Sequence, residues 1–139
     1  MSDGNGAALR VALAYHRAWT GGRFDEAMMY VADDVVCDAP AGRIEGTTAY
    51  REFMAPFAAM LIRAELLAAY GDEERAVIVY DTATTLVASG PAAECVAVRD
   101  GRIAYSRFIF DRLPFQAARS AARSAHSDVH SAHPSTGGQ

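Results

Sequence analysis

Apolar positions recur at helical spacing through residues 7–20 (Leu9, Ala12, Leu13, Tyr15, His16, Trp19), and Gly21-Gly22 follows as a stop. A shorter helical pattern, with Phe24, Ala27, Met28 and Val31 on one face, occupies residues 23–30 and ends before Asp33-Asp34. Val35 to Ala39 is short and rich in β-branched residues, and Pro40 stops it, which predicts a strand. Residues 43–45 follow the Ala41-Gly42 turn as a brief partner strand. A third helix starts at Gly46-Thr47-Thr48, with Thr47 as N-cap and Tyr50, Phe53, Met54, Phe57 and Leu61 as its buried stripe. Four longer strands complete the pattern: 62–70, 75–87, 93–99 and 102–110. The last two are joined by Asp100-Gly101, a strong hairpin signal.

Helices first and a meander afterwards predict an α+β domain over residues 7–115. Three N-terminal helices pack in the concave face of a curved antiparallel sheet and leave an apolar pocket between the layers. Residues 1–6 read as a flexible leader. From residue 116 the composition shifts to Ala, Ser, Arg and His with almost no large apolar side chains, which predicts a mostly disordered tail with at most a frayed helical turn at residues 117–123. The histidines of that tail, His126, His130 and His133, read as part of a polar tract rather than as a metal site. The 75–87 strand is apolar on both faces: Val77, Val79 and Ala83 alternate with Ile78 and Tyr80. A sheet covered on both faces needs a second partner besides the helices. A homodimer through the outer sheet face is therefore expected.

Composition narrows the function. The chain has 139 residues and a net charge of −4. It has no basic stripe with interleaved aromatics, so nucleic acid is not expected as a partner. All 13 basic residues are arginine. The longest apolar run, residues 55–62, is too short to span a bilayer and contains Pro56. No signal-peptide pattern opens the chain, so a cytoplasmic protein without a membrane partner is expected. Cys37 and Cys95 lie in strand contexts and read as small hydrophobes. No metal signature, nucleotide-binding glycine loop or nucleophile elbow occurs, and no cofactor or metal is expected.

Four stretches carry a family resemblance: Gly22-Arg23-Phe24-Asp25 followed by Ala32-Asp33-Asp34-Val35-Val36; Glu45-Gly46-Thr47 through Glu52-Phe53; Val98-Arg99-Asp100-Gly101-Arg102-Ile103; and Phe110-Asp111 with Phe115. Together they resemble the nuclear transport factor 2-like superfamily, and within it the SnoaL-like, ketosteroid isomerase and limonene epoxide hydrolase branch. The resemblance covers residues 7–115. It implies the cone-like α+β fold, but its members range from isomerases, cyclases and epoxide hydrolases to subunits without catalysis.

The resemblance implies that Tyr15 matches the oxyanion-hole tyrosine of ketosteroid isomerases. Their catalytic aspartate falls at Ala39 here, with Asp38 one residue earlier. Strand alternation turns Asp38 away from the pocket unless a bulge restores it. Asp38 with Glu65 is similar to the acid pair of polyether-type epoxide hydrolases. Asp81 lies near an acid of limonene epoxide hydrolase, whose other aspartate is replaced by Phe108.

Asp81, mid-strand among apolar neighbours, needs a partner or a raised pKa, and Arg107 on the last strand is available. Tyr15, Asp38 and Asp81 are thus the candidate catalytic groups. Trp19, Met28, Met54, Phe57, Tyr80, Phe108 and Phe110 are the expected pocket lining. His16 reads as an inert helical histidine, Glu65 and Glu94 as strand-edge acids, and Asp111 as a turn cap. The pattern suits a cofactor-free enzyme that works on a small apolar molecule by acid–base chemistry, of isomerase, cyclase or epoxide hydrolase type. The alternative is a non-catalytic small-molecule-binding or dimeric accessory protein of the same fold.

Overall fold

The computed structural model describes residues 6–131. In chain order the elements are α1 (Ala7–Thr20), α2 (Phe24–Met28), β1 (Val31–Ala39), β2 (Gly42–Glu45), α3 (Thr47–Met60), β3 (Leu61–Gly71), β4 (Arg75–Thr84), β5 (Ala92–Arg99), β6 (Arg102–Phe110) and α4 (Leu113–Ser131). The six strands form one open, curved sheet in the order β2-β1-β6-β5-β4-β3. The expected α+β layering is present, with one refinement of the sheet. Neighbouring strands run antiparallel except β1 and β6, which lie parallel, so the sheet is mixed. The whole of α3 and the β3–β5 meander separate these two strands in sequence, and a crossover that long permits a parallel pair.

The three helices occupy the concave side. Leu9, Ala12, Tyr15 and Trp19 of α1 are buried with Tyr50 and Met54 of α3, against Ile78, Tyr80, Val96 and Phe108 of the sheet. Register irregularities interrupt β3 between Leu61 and Arg63 and between Leu66 and Ala68, and β5–β6 at Ala97/Val98. Bulges of this kind increase local twist and bend, and so help the sheet curve over the helices. The β5–β6 hairpin closes on Asp100 (φ 54°) and Gly101 (φ 75°). Two successive positive-φ residues are what a two-residue primed turn requires.

Two local expectations need correction. The N-cap of α3 is Gly46 (φ 86°), not Thr47. The Thr47 hydroxyl instead donates to the Ala32 carbonyl at 2.9 Å and ties the helix start to β1. The second correction concerns the tail: the chain beyond residue 116 continues as α4 to Ser131 rather than as a disordered segment. Pro114 sits in the first turn, where its missing N–H costs nothing, Asp111 Oδ1 accepts from the Leu113 N–H at 2.9 Å, and the Ala/Arg-rich sequence has high helix propensity. Phe115 anchors the helix by packing on Phe57 and Phe110. His133 and the leader residues 1–5 lie outside the described residues, as do the side chains of His126 and His130.

Candidate functional site

Strand alternation decides which acids face the helices. On β4 the inward residues are Ala76, Ile78, Tyr80 and Thr82, so Asp81 points to the outer face. There it accepts from the Ser89 hydroxyl at 2.9 and 3.1 Å and, among the described residues, meets no arginine, contrary to the expected pairing with Arg107. Asp38 also faces outward. The register shift in β1 falls between Val31 and Val36, ahead of Asp38, and leaves Cys37 inward and Asp38 outward. Asp38 accepts a two-pronged contact from Arg43 (2.9 and 3.0 Å), the Tyr105 hydroxyl at 2.6 Å and Arg107 at 3.4 Å. The Arg43 and Tyr105 hydrogen bonds hold its carboxyl down at about 2. Neither aspartate faces the helical layer. Glu65, paired across the sheet with Asp81, shares its outer face.

The carboxylate that does face inward is Glu94. It lies on central strand β5, opposite Ile78 of β4 and Phe108 of β6, and is fully buried. Its Oε1 accepts from the Tyr80 hydroxyl at 2.9 Å, while Oε2 has no partner among the described residues. Burial pushes the Glu94 carboxyl up to about 8, with the Tyr80 bond working in the opposite direction. Beside it, the Tyr15 and Tyr50 hydroxyls share a 2.5 Å hydrogen bond. Burial first and the Glu94 charge second raise both the Tyr15 and Tyr80 phenols well above their ordinary value. Tyr50 is raised by burial, then by Tyr15 and Glu94. His16 packs at a tilt on Tyr80 with ring centroids 4.7 Å apart, and its Nδ1 has no partner among the described residues. Burial, aided by Arg17, lowers it to about 4, so it is neutral at physiological pH. Cys37 is a buried free thiol pushed up to about 12, mainly by burial.

A cavity of about 440 Å³ opens beside this cluster. Met54, Phe57, Tyr80, Phe108 and Phe110 line it, joined by Phe53 and Phe115. Trp19 and Met28 do not line it. Trp19 is packed behind the wall, against Phe57 and Tyr80, and Met28 is core. Tyr80 is the link between the two regions: its ring faces the cavity and its hydroxyl reaches Glu94. Tyr15 lies deeper, behind this link.

Glu94 was not singled out from the sequence, although a usable signal existed. Glu94 is two residues from Ala92 and Val96 on a strand that also carries Ala93 and Cys95, and this near-continuous apolar run marks a strand covered on both faces. Glu94 alternates with Cys95 and shares the face of Ala92 and Val96, and that is the face the helices cover.

A family model described as a SnoaL-like domain matches residues 12–106. The chain belongs to this SnoaL-like family. A crystal structure from Kribbella flavida DSM 17836 is 54% identical, with a TM-score of 0.83, over 85% of this chain and 98% of that one. A protein described as a polyketide cyclase, from Xanthomonas campestris pv. campestris, is 21% identical, with a TM-score of 0.65, over 81% and 96% of the two chains. TerC, crystallised with polyporic acid, is 18% identical, with a TM-score of 0.64, over 81% and 98%. No curated protein matches the SnoaL-like chain. Among its described residues no helix is long and apolar enough to cross a membrane, and no group of His, Cys, Asp and Glu is arranged to hold a metal ion.

Proposed function

We propose that the protein is an enzyme of cofactor-free acid–base chemistry, moving a proton on a small, largely apolar carbonyl compound held in the cavity. The observation that supports this reading is Glu94, buried without a cation and bonded to the one phenol that faces the cavity. In the ionised form Glu94 draws the Tyr80 proton as Tyr80 Oη takes a proton from the carbon next to the substrate carbonyl. The products of that step are an enolate in the cavity and a neutral Glu94. Returning the proton at a different carbon isomerises the substrate, and attack of the enolate carbon on a second carbonyl closes a ring. A carboxyl near 8 is well matched to this work, because a base is most effective when its pKa lies close to the working pH. The family membership and the neighbour described as a polyketide cyclase fit the same class of reaction.

The test is exchange of α-protons into D2O across a panel of cyclic ketones and 1,3-diketones, followed by NMR. The wild type should exchange at least one class, with a rate that rises towards pH 8. Glu94→Gln and Tyr80→Phe should each lose roughly 100-fold or more. Exchange by the Gln variant at the wild-type rate would sink the assignment.

We also propose that two copies pair through the convex face. Tyr70 (75% exposed), Val77 and Ile109 (55%) form an apolar strip there with Val79, Ala93 and Cys95. Glu65 and Asp81 lie at one end of the strip and Arg75 at the other, with Arg107 beside Cys95 along its flank. A two-fold pairing with antiparallel strands therefore opposes unlike charges. Sedimentation should give a dimer that Val77→Glu dissociates, whereas a wild-type monomer at micromolar concentration would refute it.

A further inference from the structure

The cavity has two unlike regions. Its buried lining is aromatic and aliphatic, but its exposed lining, the rim, includes Arg112, Gln116 and Arg119, together with Glu52 of α3. Arg119 follows Phe115 by about one helical turn and so falls on the same side of α4, while Arg112 immediately precedes the helix, where its carbonyl accepts from the Gln116 N–H at 3.0 Å. Phe115 fixes that side against the cavity wall: it is 7% exposed and touches Phe57 and Phe110. Neither guanidinium has an ion-pair partner among the described residues, so both are available to a ligand. The contrast with the whole chain is also telling. Net charge is −4, yet from Arg112 to Ser127 the sequence has three arginines and no acid.

We infer that the ligand of this cavity is an amphiphilic anion. Its apolar body lies against Phe57, Phe108 and Phe110, and a carboxylate or an equally acidic enol is held at the rim by Arg112 and Arg119. The inference deepens the proposed function by naming the substrate class, and it rests on the reading that the cavity receives the substrate. An arginine offers a planar fork of donors that matches a carboxylate, and at the edge of an apolar cavity the pair is less screened than on open surface. Glu52 reduces the local positive charge and leaves a net excess of one. Placing the charge at the rim keeps it away from Glu94, whose ionised form a second buried anion would oppose. The same arrangement sets polarity, since the anionic end stays outward and the apolar end travels toward Tyr80.

The experiment compares two ligands of one shape, 1-naphthylacetate and its neutral analogue 1-naphthylacetamide, by titration calorimetry on the full chain. The carboxylate should bind roughly tenfold more tightly than the amide, as expected for a hydrogen-bonded charge pair. The double variant Arg112→Gln/Arg119→Gln should lose that advantage and keep the amide affinity, and added salt should weaken the carboxylate alone. Equal binding of the two ligands by the wild type would overturn the inference, as would equal weakening of both in the variant. Both substitutions lie on exposed positions, so the unchanged amide affinity also reports that the cavity is intact. Glu94→Gln separates the two readings. Loss of proton exchange in that variant together with no wild-type preference for the acid removes the anion site and leaves the chemistry standing. Failure of both naphthyl ligands to bind removes the anion site and, with it, the cavity as the place of reaction.

Discussion

Glu94 and Asp38 sit on the two strands that flank β6, opposite the consecutive residues Phe108 and Arg107. One step along β6 separates their partners, and because strand side chains alternate, that step places them on opposite faces of the sheet. Asp38 finds two arginines and a tyrosine there, and its hydrogen bonds bring it down to about 2. Glu94 finds phenols and aromatic rings, and burial takes it up to about 8. Identical chemistry becomes a fixed charge on one face and a proton carrier on the other. The difference shows that in this fold the address of an acid, more than its identity, decides whether it can exchange protons at neutral pH.

The most forceful way to break the comparison is to neutralise each acid and measure turnover. Glu94→Gln should lower proton exchange about 100-fold or more, while Asp38→Asn should change it less than about twofold. Comparable losses in both variants would mean that the outer face takes part in the reaction. Stability against pH gives the next largest effect. In the unfolded chain Glu94 ionises near 4.5, but in the fold it holds its proton to about 8. Folding therefore takes up a proton in this window, and the contribution of Glu94 is lost as pH rises through it. Below pH 6.5 His16 works the other way. Its lowered pKa, about 4, removes stability as pH falls from 6.5. The two slopes oppose each other below 6.5, and between 6.5 and 8 only that of Glu94 remains. Unfolding free energies from urea titration should drop there by up to about 1.4 kcal/mol per pH unit, and Glu94→Gln should flatten the trend. Asp38 acts elsewhere: its stabilising contribution is present above pH 3.8 and is lost as pH falls toward 2. An Asp38→Asn variant should keep the neutral-pH slope intact.

Much of this fold was legible because its devices are local. The period of Leu9, Ala12 and Trp19 locates α1 to the residue, and Asp100-Gly101 locates the last hairpin. Alternation also correctly predicts that Asp38 faces away from the helices. What could not be read is long-range. The parallel pairing of β1 with β6 depends on how the chain returns after α3, and no residue of either strand encodes it. The site was missed for a related reason. Asp81 has apolar neighbours along the chain but lies on the outer face, whereas Glu94 becomes buried through Ile78, Phe108 and Tyr80 on other strands. α4 was missed because its anchor is the single residue Phe115, too little apolar surface to register as a periodic stripe.

Tyr15 tests how far the inward environment extends behind Glu94. Its hydroxyl touches Tyr50 and no cavity surface, so Tyr15→Phe deletes a hydrogen bond and strands the Tyr50 hydroxyl in the core. An unsatisfied buried hydroxyl costs about 1–3 kcal/mol, and urea unfolding should show a loss in that range. Turnover should fall far less than in Tyr80→Phe, because the Tyr80–Glu94 bond survives. A drop as large as that of Tyr80→Phe would place Tyr15 in direct contact with the substrate.

The smallest expected effect belongs to Asp81, the acid whose sequence context looked most like a site. Among the described residues its carboxylate accepts only from Ser89, at an exposed position where water can replace the hydroxyl. Asp81→Asn keeps an acceptor oxygen for that bond and removes one charge from the convex face. Unfolding free energy should stay within about 0.5 kcal/mol of the wild type, and proton exchange should be unaltered. The substitution should be felt only in association, since Asp81 stands at the acidic end of the strip proposed to join two copies. A salt-sensitive weakening of the dimer with no change in turnover would assign the outward acids to assembly and the inward one to chemistry. A fall in turnover without any change in association would reverse that division and return Asp81 to the site.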